Sequence, residues 1–159
     1  MESRIAAIAQ VINEDYRDKD PLFIGVLNGA FLFAGDLIRK ITIDCSVSFV
    51  KLSSYKGTAS TGKVIELIGL GEELHNRHVI FVDDIVDTGN TANYLIAEAT
   101  KMKATSVCVA ALLTKPSKFG PGTMVRYAGF EVPDYFFTGY GLDYEGLGRN
   151  LTDIYKLEK

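Results

Sequence analysis

Three short apolar runs constrain the fold of this chain most: residues 22–27 (LFIGVL), 79–82 (VIFV) and 107–113 (VCVAALL). Each has the length of a strand and shows no alternation, so each reads as a strand buried on both faces. Between them lie segments with helical spacing. Ile5, Ile8, Ala9 and Ile12 mark a helix over 3–16, residues 31–40 (FLFAGDLIRK) close a second with two cations, and 91–102 form a third. Residues 45–52 and 64–70 read as further strands, and the tail from Met124 as short strands and turns ending in an edge strand over 153–157. Strands that alternate with helices require crossover connections. The expected class is therefore α/β, a mostly parallel twisted sheet with helices on both faces, in one domain over residues 1–159.

Composition narrows the function classes. A net charge of -3 gives no basic footprint for nucleic acid. Cys45 and Cys108 sit in apolar runs and read as small buried hydrophobes, while His75 and His78 lack partners at zinc-ligand spacing. No apolar run approaches the ~20 residues that span a bilayer, and the N-terminus lacks a signal-peptide plan. A soluble, cytoplasmic protein without a membrane partner is expected.

In open α/β sheets ligands bind beyond the carboxyl ends of the strands. Three loops start there: Asn28-Gly29, residues 83–90, and Lys115 onward. The second is the most informative. After the run VIFV come Asp83-Asp84, Ile85-Val86, then Asp87-Thr88-Gly89-Asn90-Thr91 at a helix start. Small residues with free backbone N–H groups at a helix N-terminus form an anion site. Thr88 and Thr91 add hydroxyl donors, and Gly89 permits close approach. Three carboxylates beside an anion site would repel a bare phosphate, so they are expected to face ribose hydroxyls, a Mg²⁺ ion or a proton to be removed. A helix cap would explain one acid and not three. A GxxxxGK[ST] loop and a GxGxxG turn after a strand are both absent.

VIFVDDIVDTGNT resembles the phosphoribosyl-pyrophosphate (PRPP) signature of type I phosphoribosyltransferases. VLNGAFLFAGDLIR, KLSSYKGTASTGKV, LLTKPS and VPDYFFTGYGLDYEGLGRNL resemble the pyrophosphate loop, flexible loop, lysine segment and purine-binding tail of the hypoxanthine-guanine branch. The likeness runs from about Leu22 to Tyr155. It implies a small hood formed by the chain termini, a Mg²⁺ cofactor, and PRPP with a 6-oxopurine as small-molecule substrates of a homodimer or homotetramer. Residue by residue, it implies that Asp83 and Asp84 hold the ribose hydroxyls, directly or through Mg²⁺, and that Asp87 is the general base for purine N7. Thr88, Gly89, Asn90 and Thr91 would wrap the 5′-phosphate, while Asn28, Gly29 and Arg149 would bind pyrophosphate. Lys115 would contact purine O6, Phe136 would stack on the base, and the Phe137 backbone would bond its edge. Asp143 would sit near the 2-position and hold a second Mg²⁺, and Ser54-Tyr55 would close over the centre as a lid. The chain departs from the family pattern at Asn28, often basic, at Asp83, often Glu, and at Tyr135, often Lys. Taken singly, Lys115 reads as a loop cation, Phe136 and Phe137 as core, and Asp143 as a turn residue; their order behind the acidic stretch carries the expectation. Alternatives are a xanthine-preferring enzyme and a non-catalytic regulator that keeps the PRPP fold.

Overall fold

The computed structural model describes residues 1–54, 64–71 and 73–157. In chain order these form α1 (Glu2–Asp15), β1 (Leu22–Leu27), α2 (Phe31–Ile38), β2 (Ser46–Ser54), β3 (Val64–Ile68), β4 (His78–Val86), α3 (Asn90–Lys101), β5 (Ser106–Thr114), β6 (Tyr127–Glu131), β7 (Phe137–Thr138) and β8 (Tyr155–Lys156). The main sheet has the order β3-β2-β1-β4-β5-β6. Its β2, β1, β4, β5 and β6 run parallel, and β3 joins β2 antiparallel. The expected α/β class, with helices on both faces of a mostly parallel sheet, is the one found.

The two faces separate by residue parity, as the strand pleat demands. Phe23, Ile80, Val82, Ala110 and Leu112 meet α1 and α2, which bury Ile5, Ile8, Ala9 and Ile12, and Phe33, Ala34 and Leu37. Leu22, Ile24, Val79, Phe81, Val109 and Ala111 meet α3, which buries Ala92, Leu95 and Ala99. Each large apolar side chain removed from water in this way contributes about 1.5–3 kcal/mol.

The connections make the binding crevice. The chain leaves β1 through α2 on one face towards β2, and leaves β4 through α3 on the other face towards β5. Winding reverses between β1 and β4. Their ladder stops at Gly25↔Val82, yet β1 continues along β2 to Leu27 and β4 continues along β5 to Val86. The two strands therefore part at their carboxyl ends, and a topological switch point of this kind is where α/β sheets take ligands.

Two expectations change in detail. β4 was expected to end at Val82; it runs to Val86, so Asp83 and Asp84 lie on the strand rather than in the following loop. The parallel partner supplies the reason, because Asp83↔Ala111, Ile85↔Leu113 and Val86↔Thr114 extend the ladder past the apolar run. The last strand is an edge strand as expected but shorter than 153–157: β8 pairs antiparallel with β7 in a small second sheet, so the hood comes from the C-terminal segment while α1 packs on the main sheet.

α1 is held by side chains at both ends. Arg4 donates from Nε to Gly129 O (2.7 Å) and from Nη2 to Ala128 O (2.8 Å). Asp15 accepts from Tyr127 Oη (2.6 Å) and Arg126 Nη2 (2.9 Å). The Tyr127 hydrogen bond, then that of Arg126, holds the Asp15 carboxyl below its ordinary value of 3.8. Ionised Asp15 thus stabilises the fold above that ordinary value, and the contribution is lost as pH falls through the lowered one. With solvent screening it is worth about 1 kcal/mol, or about 2–4 °C in Tm for a chain of this size. Asp15→Ala is expected to melt earlier than the parent by this amount at pH 7, with the gap closing below pH ~4. A gap independent of pH in thermal melts would assign the loss to packing instead.

Candidate active site

The floor of the crevice is built by Gly29 and Asp84. A Cβ placed on Gly29 would stand 1.9 Å from Asp84 Oδ2, so only glycine lets the β1–α2 turn lie against this carboxylate. The Leu27–Asn28 peptide that enters the turn is cis. Asp83 is buried beside Asp84, whose backbone N–H donates to Asp83 Oδ1 at 3.1 Å. Burial, reinforced by the Asp84 charge, pushes the Asp83 carboxyl well above the ordinary carboxylate range. Burial raises Asp84 too, opposed by its hydrogen bonds and by the Arg149 charge. Two desolvated, mutually repelling carboxylates form a place that favours a cation. Among the described residues no three acids, His or Cys converge on one point. This donor set suits Mg²⁺, which takes one or two carboxylates and completes its shell from ligand oxygens and water.

Beyond β4 the chain turns through Asp87, Thr88 and Gly89 into α3. Gly89 adopts φ 87°, and a Cβ there would meet Thr123 Oγ1 at 2.2 Å and Cγ2 at 2.4 Å. Thr123 belongs to the loop after β5, which is fastened to the turn by Gly120 N–H to Thr88 O (3.0 Å) and Asn93 Nδ2 to Thr123 Oγ1 (3.0 Å). Gly89 has no side chain with which to cap α3, and Thr88 Oγ1 takes only a long hydrogen bond from Asn90 N–H, at 3.5 Å. The first-turn N–H groups, next to the Thr88 and Thr91 hydroxyls, lie at the positive end of a twelve-residue helix. That arrangement can take a phosphate.

At the far end of the same turn sits a cluster of four charges. Lys115, at the end of β5, has a side chain only 6% exposed. Its Nζ lies 3.3 Å from Asp87 Oδ2 and 3.1 Å from Asp134 Oδ1. Lys118, at the end of the 3-10 turn Pro116–Lys118, lies 2.8 Å from Asp87 Oδ1 and 3.1 Å from Asp134 Oδ1. An ammonium has three donors, so Lys115 keeps one for a ligand oxygen. Asp87 Oδ1 is shielded from water and has the Lys118 ammonium as its neighbour at 2.8 Å.

The hood closes the arrangement. Phe136 is 56% exposed, with the Tyr144 ring edge-on at 5.6 Å and 83°, and Phe137 begins β7 opposite Lys156. Tyr135 has the Lys156 ammonium 3.9 Å from its ring centroid, so β8 brings a cation onto this ring. Arg149 donates from Nη1 to Gly141 O at 2.6 Å and pairs with Asp143 Oδ1, while Asp143 Oδ2 accepts from Gly146 N–H at 2.8 Å. Both Asp143 oxygens are thus engaged by protein donors. Gly141 in turn rests on the crevice floor, since a Cβ there would meet Gly29 O at 2.0 Å. Contacts link Gly29 with Asp84, Asp84 with Asp83, Arg149 with Asp143 and, through Gly141, with Gly29, and Asp87 with Lys115, while Asn28 enters the β1–α2 turn, Thr88 to Thr91 lead into α3, and Phe136 and Phe137 lie at the start of β7. Ser54 ends β2, and Tyr55 lies outside the described residues. Sequence reasoning missed Asp134 and Lys118, whose signal was the pair of charges flanking the Lys115 and Phe136 segments.

A doubly wound sheet whose switch point holds a helix-start turn suited to a phosphate, beside an exposed aromatic ring, fits the class of nucleotide-handling transferases. Residues 1–145 match the phosphoribosyl transferase domain family, and the chain belongs to it, in the branch of the hypoxanthine-guanine phosphoribosyltransferases. Relatives of that name include the Staphylococcus epidermidis protein, 39% identical over 91% of this chain and 81% of the relative. The Mycobacterium bovis protein is 38% identical over 99% and 82%. Among solved structures, the Bacillus anthracis hypoxanthine-guanine phosphoribosyltransferase superposes with TM-score 0.93 at 34% identity, covering 99% of this chain and 93% of that one. The Trypanosoma cruzi hypoxanthine phosphoribosyltransferase bound to its product IMP superposes with TM-score 0.91 at 34% identity, covering 99% and 89%.

Proposed function

We propose that this chain, as one phosphoribosyltransferase domain, transfers the 5-phosphoribosyl group of PRPP to hypoxanthine or guanine, giving IMP or GMP and pyrophosphate. The observation that carries the reading is the Asp87–Lys115 pair, set between the start of α3 and the exposed Phe136 ring. Thr88, Gly89, Asn90 and Thr91 take the 5′-phosphate. Asp83 and Asp84 hold the ribose hydroxyls and the Mg²⁺, which when bound would offset the negative charge of the leaving group. Asn28, Gly29 and Arg149 bind pyrophosphate, with Asp143 fixing the guanidinium beside the purine 2-position; a second Mg²⁺ on Asp143 would have to displace Arg149.

Phe136 stacks on the purine and the Phe137 backbone meets its edge. The free donor of Lys115 reaches O6, a contact that the amino group of adenine would not accept. Asp87 removes the N7 proton as the base attacks ribose C1 and the C1–O bond to pyrophosphate breaks. Ser54 and Tyr55 belong to the lid that excludes water. The active form is a cytoplasmic homodimer or homotetramer.

One panel tests the reading: hypoxanthine, guanine, xanthine and adenine with PRPP and Mg²⁺, following pyrophosphate release. Turnover of the first two, little with adenine, and loss on removing Mg²⁺ with EDTA are expected. Preference for xanthine would reassign the base, and no turnover with any 6-oxopurine would overturn the proposal.

A further inference from the structure

Asp134 belongs to neither the acidic stretch nor the phosphate turn, yet it touches both lysines of the cluster. Its Oδ1 lies 3.1 Å from Lys115 Nζ and 3.1 Å from Lys118 Nζ. Asp87 meets the same two ammonium groups on separate oxygens, Oδ2 with Lys115 and Oδ1 with Lys118. The cluster is therefore two cations shared between two anions, one anion from the β4–α3 turn and the other from the turn before β7.

A carboxylate that must accept a proton is a poor base while an ammonium is held against each of its oxygens. Asp87 Oδ1 is also shielded from water in this arrangement, with Lys118 as its neighbouring cation. Either lysine can loosen its hold on Asp87 only if a second anion keeps it in place, since an unpaired ammonium beside the 6%-exposed Lys115 stem would be costly. Asp134 is the second anion the structure provides. The lysines in turn hold its carboxyl below the ordinary value, Lys118 first and then Lys115.

We propose that Asp134 is a positioning residue for the general base: it retains the Lys115 and Lys118 ammonium groups and so leaves the Asp87 carboxylate free to take the proton. Lys115 turns one donor to the purine oxygen while still bound to Asp134, and Lys118 withdraws from Asp87 Oδ1 onto the same carboxylate. The inference rests on Asp87 being the base.

The experiment is a charge-balance series in steady-state assays with hypoxanthine and PRPP. Asp134→Asn leaves two cations on one carboxylate. Its kcat is expected to fall about 10-fold or more, a part of the ~10²–10⁴-fold that a positioned base supplies, with the KM for PRPP within about 2-fold. Adding Lys118→Met restores one cation to one anion and should recover most of the lost kcat, as should Asp134→Glu alone. A purely structural Asp134 would give a double variant no better than Asp134→Asn. Asp134 is more than half exposed, so the single variant is expected to fold, and thermal melts check this. Asp87→Asn is the control. If it keeps turnover, the reading of the base fails; if it loses turnover while Asp134→Asn does not, or while Lys118→Met fails to rescue, this proposal fails.

Discussion

Asp87→Asn is expected to lower turnover by about 10²–10⁴-fold, the usual worth of a positioned general base, while IMP binding stays within a few-fold of the parent. The geometry explains the split. Asp87 contacts Lys115 and Lys118 and is not one of the first-turn residues of α3 proposed to take the phosphate. Asparagine keeps the shape and one acceptor oxygen, and loses the capacity to hold a proton. Single-turnover kinetics should show the loss in the chemical step, and nucleotide titration should show retained affinity. If binding and turnover fell together, Asp87 would be a structural member of the turn.

The second large effect is expected at Gly89. Alanine there would adopt φ 87° at a cost of about 1–3 kcal/mol, and its Cβ would collide with Thr123, 2.2 Å from Oγ1. The turn must move, and with it the N–H groups proposed to receive the 5′-phosphate. The KM for PRPP is expected to rise about 10-fold or more, because each 1.4 kcal/mol lost from phosphate contacts is about tenfold in affinity. Adding Thr123→Ala removes the two closest atoms but not the backbone strain. A partial recovery in PRPP KM is therefore expected, with the remainder reporting the strain together with the residual contact to the Cβ of residue 123, 2.8 Å away. Unchanged PRPP kinetics in Gly89→Ala would show that the phosphate does not sit at this turn.

Much of the fold was legible because burial leaves a plain periodic trace. The spacing Ile5, Ile8, Ala9, Ile12 and the unbroken runs LFIGVL and VCVAALL mark elements whose faces touch apolar neighbours along their whole length. β4 was read four residues short for the same reason. Its last residues include Asp83 and Asp84, which are held in the strand by hydrogen bonds to β5 and not by apolar packing of their own side chains. The pairing of β8 with β7 left no trace in sequence because two-residue strands have no period to detect.

The site divides in the same way. The proposed phosphate turn is contiguous, so its candidate donors can be read from DTGNT alone. Lys115, Phe136 and Arg149 were reached only through resemblance, since each looks ordinary by itself. Asp134 escaped because its meaning lies in two contacts 16 and 19 residues away along the chain, and VPD reads locally as a turn.

The backbone contact between Gly141 and Gly29 carries a wider consequence. It sets the segment proposed to grip the base directly on the segment proposed to grip the departing group, carbonyl to α-carbon, with no side chain between to absorb a shift. Retuning this hood for a different base would disturb the seat of pyrophosphate at the same time. Variants selected for altered base preference should therefore carry a penalty in the reverse reaction, where pyrophosphate is the incoming substrate. Compensating changes should gather around the β1–α2 turn, on the opposite side of the crevice from the base itself.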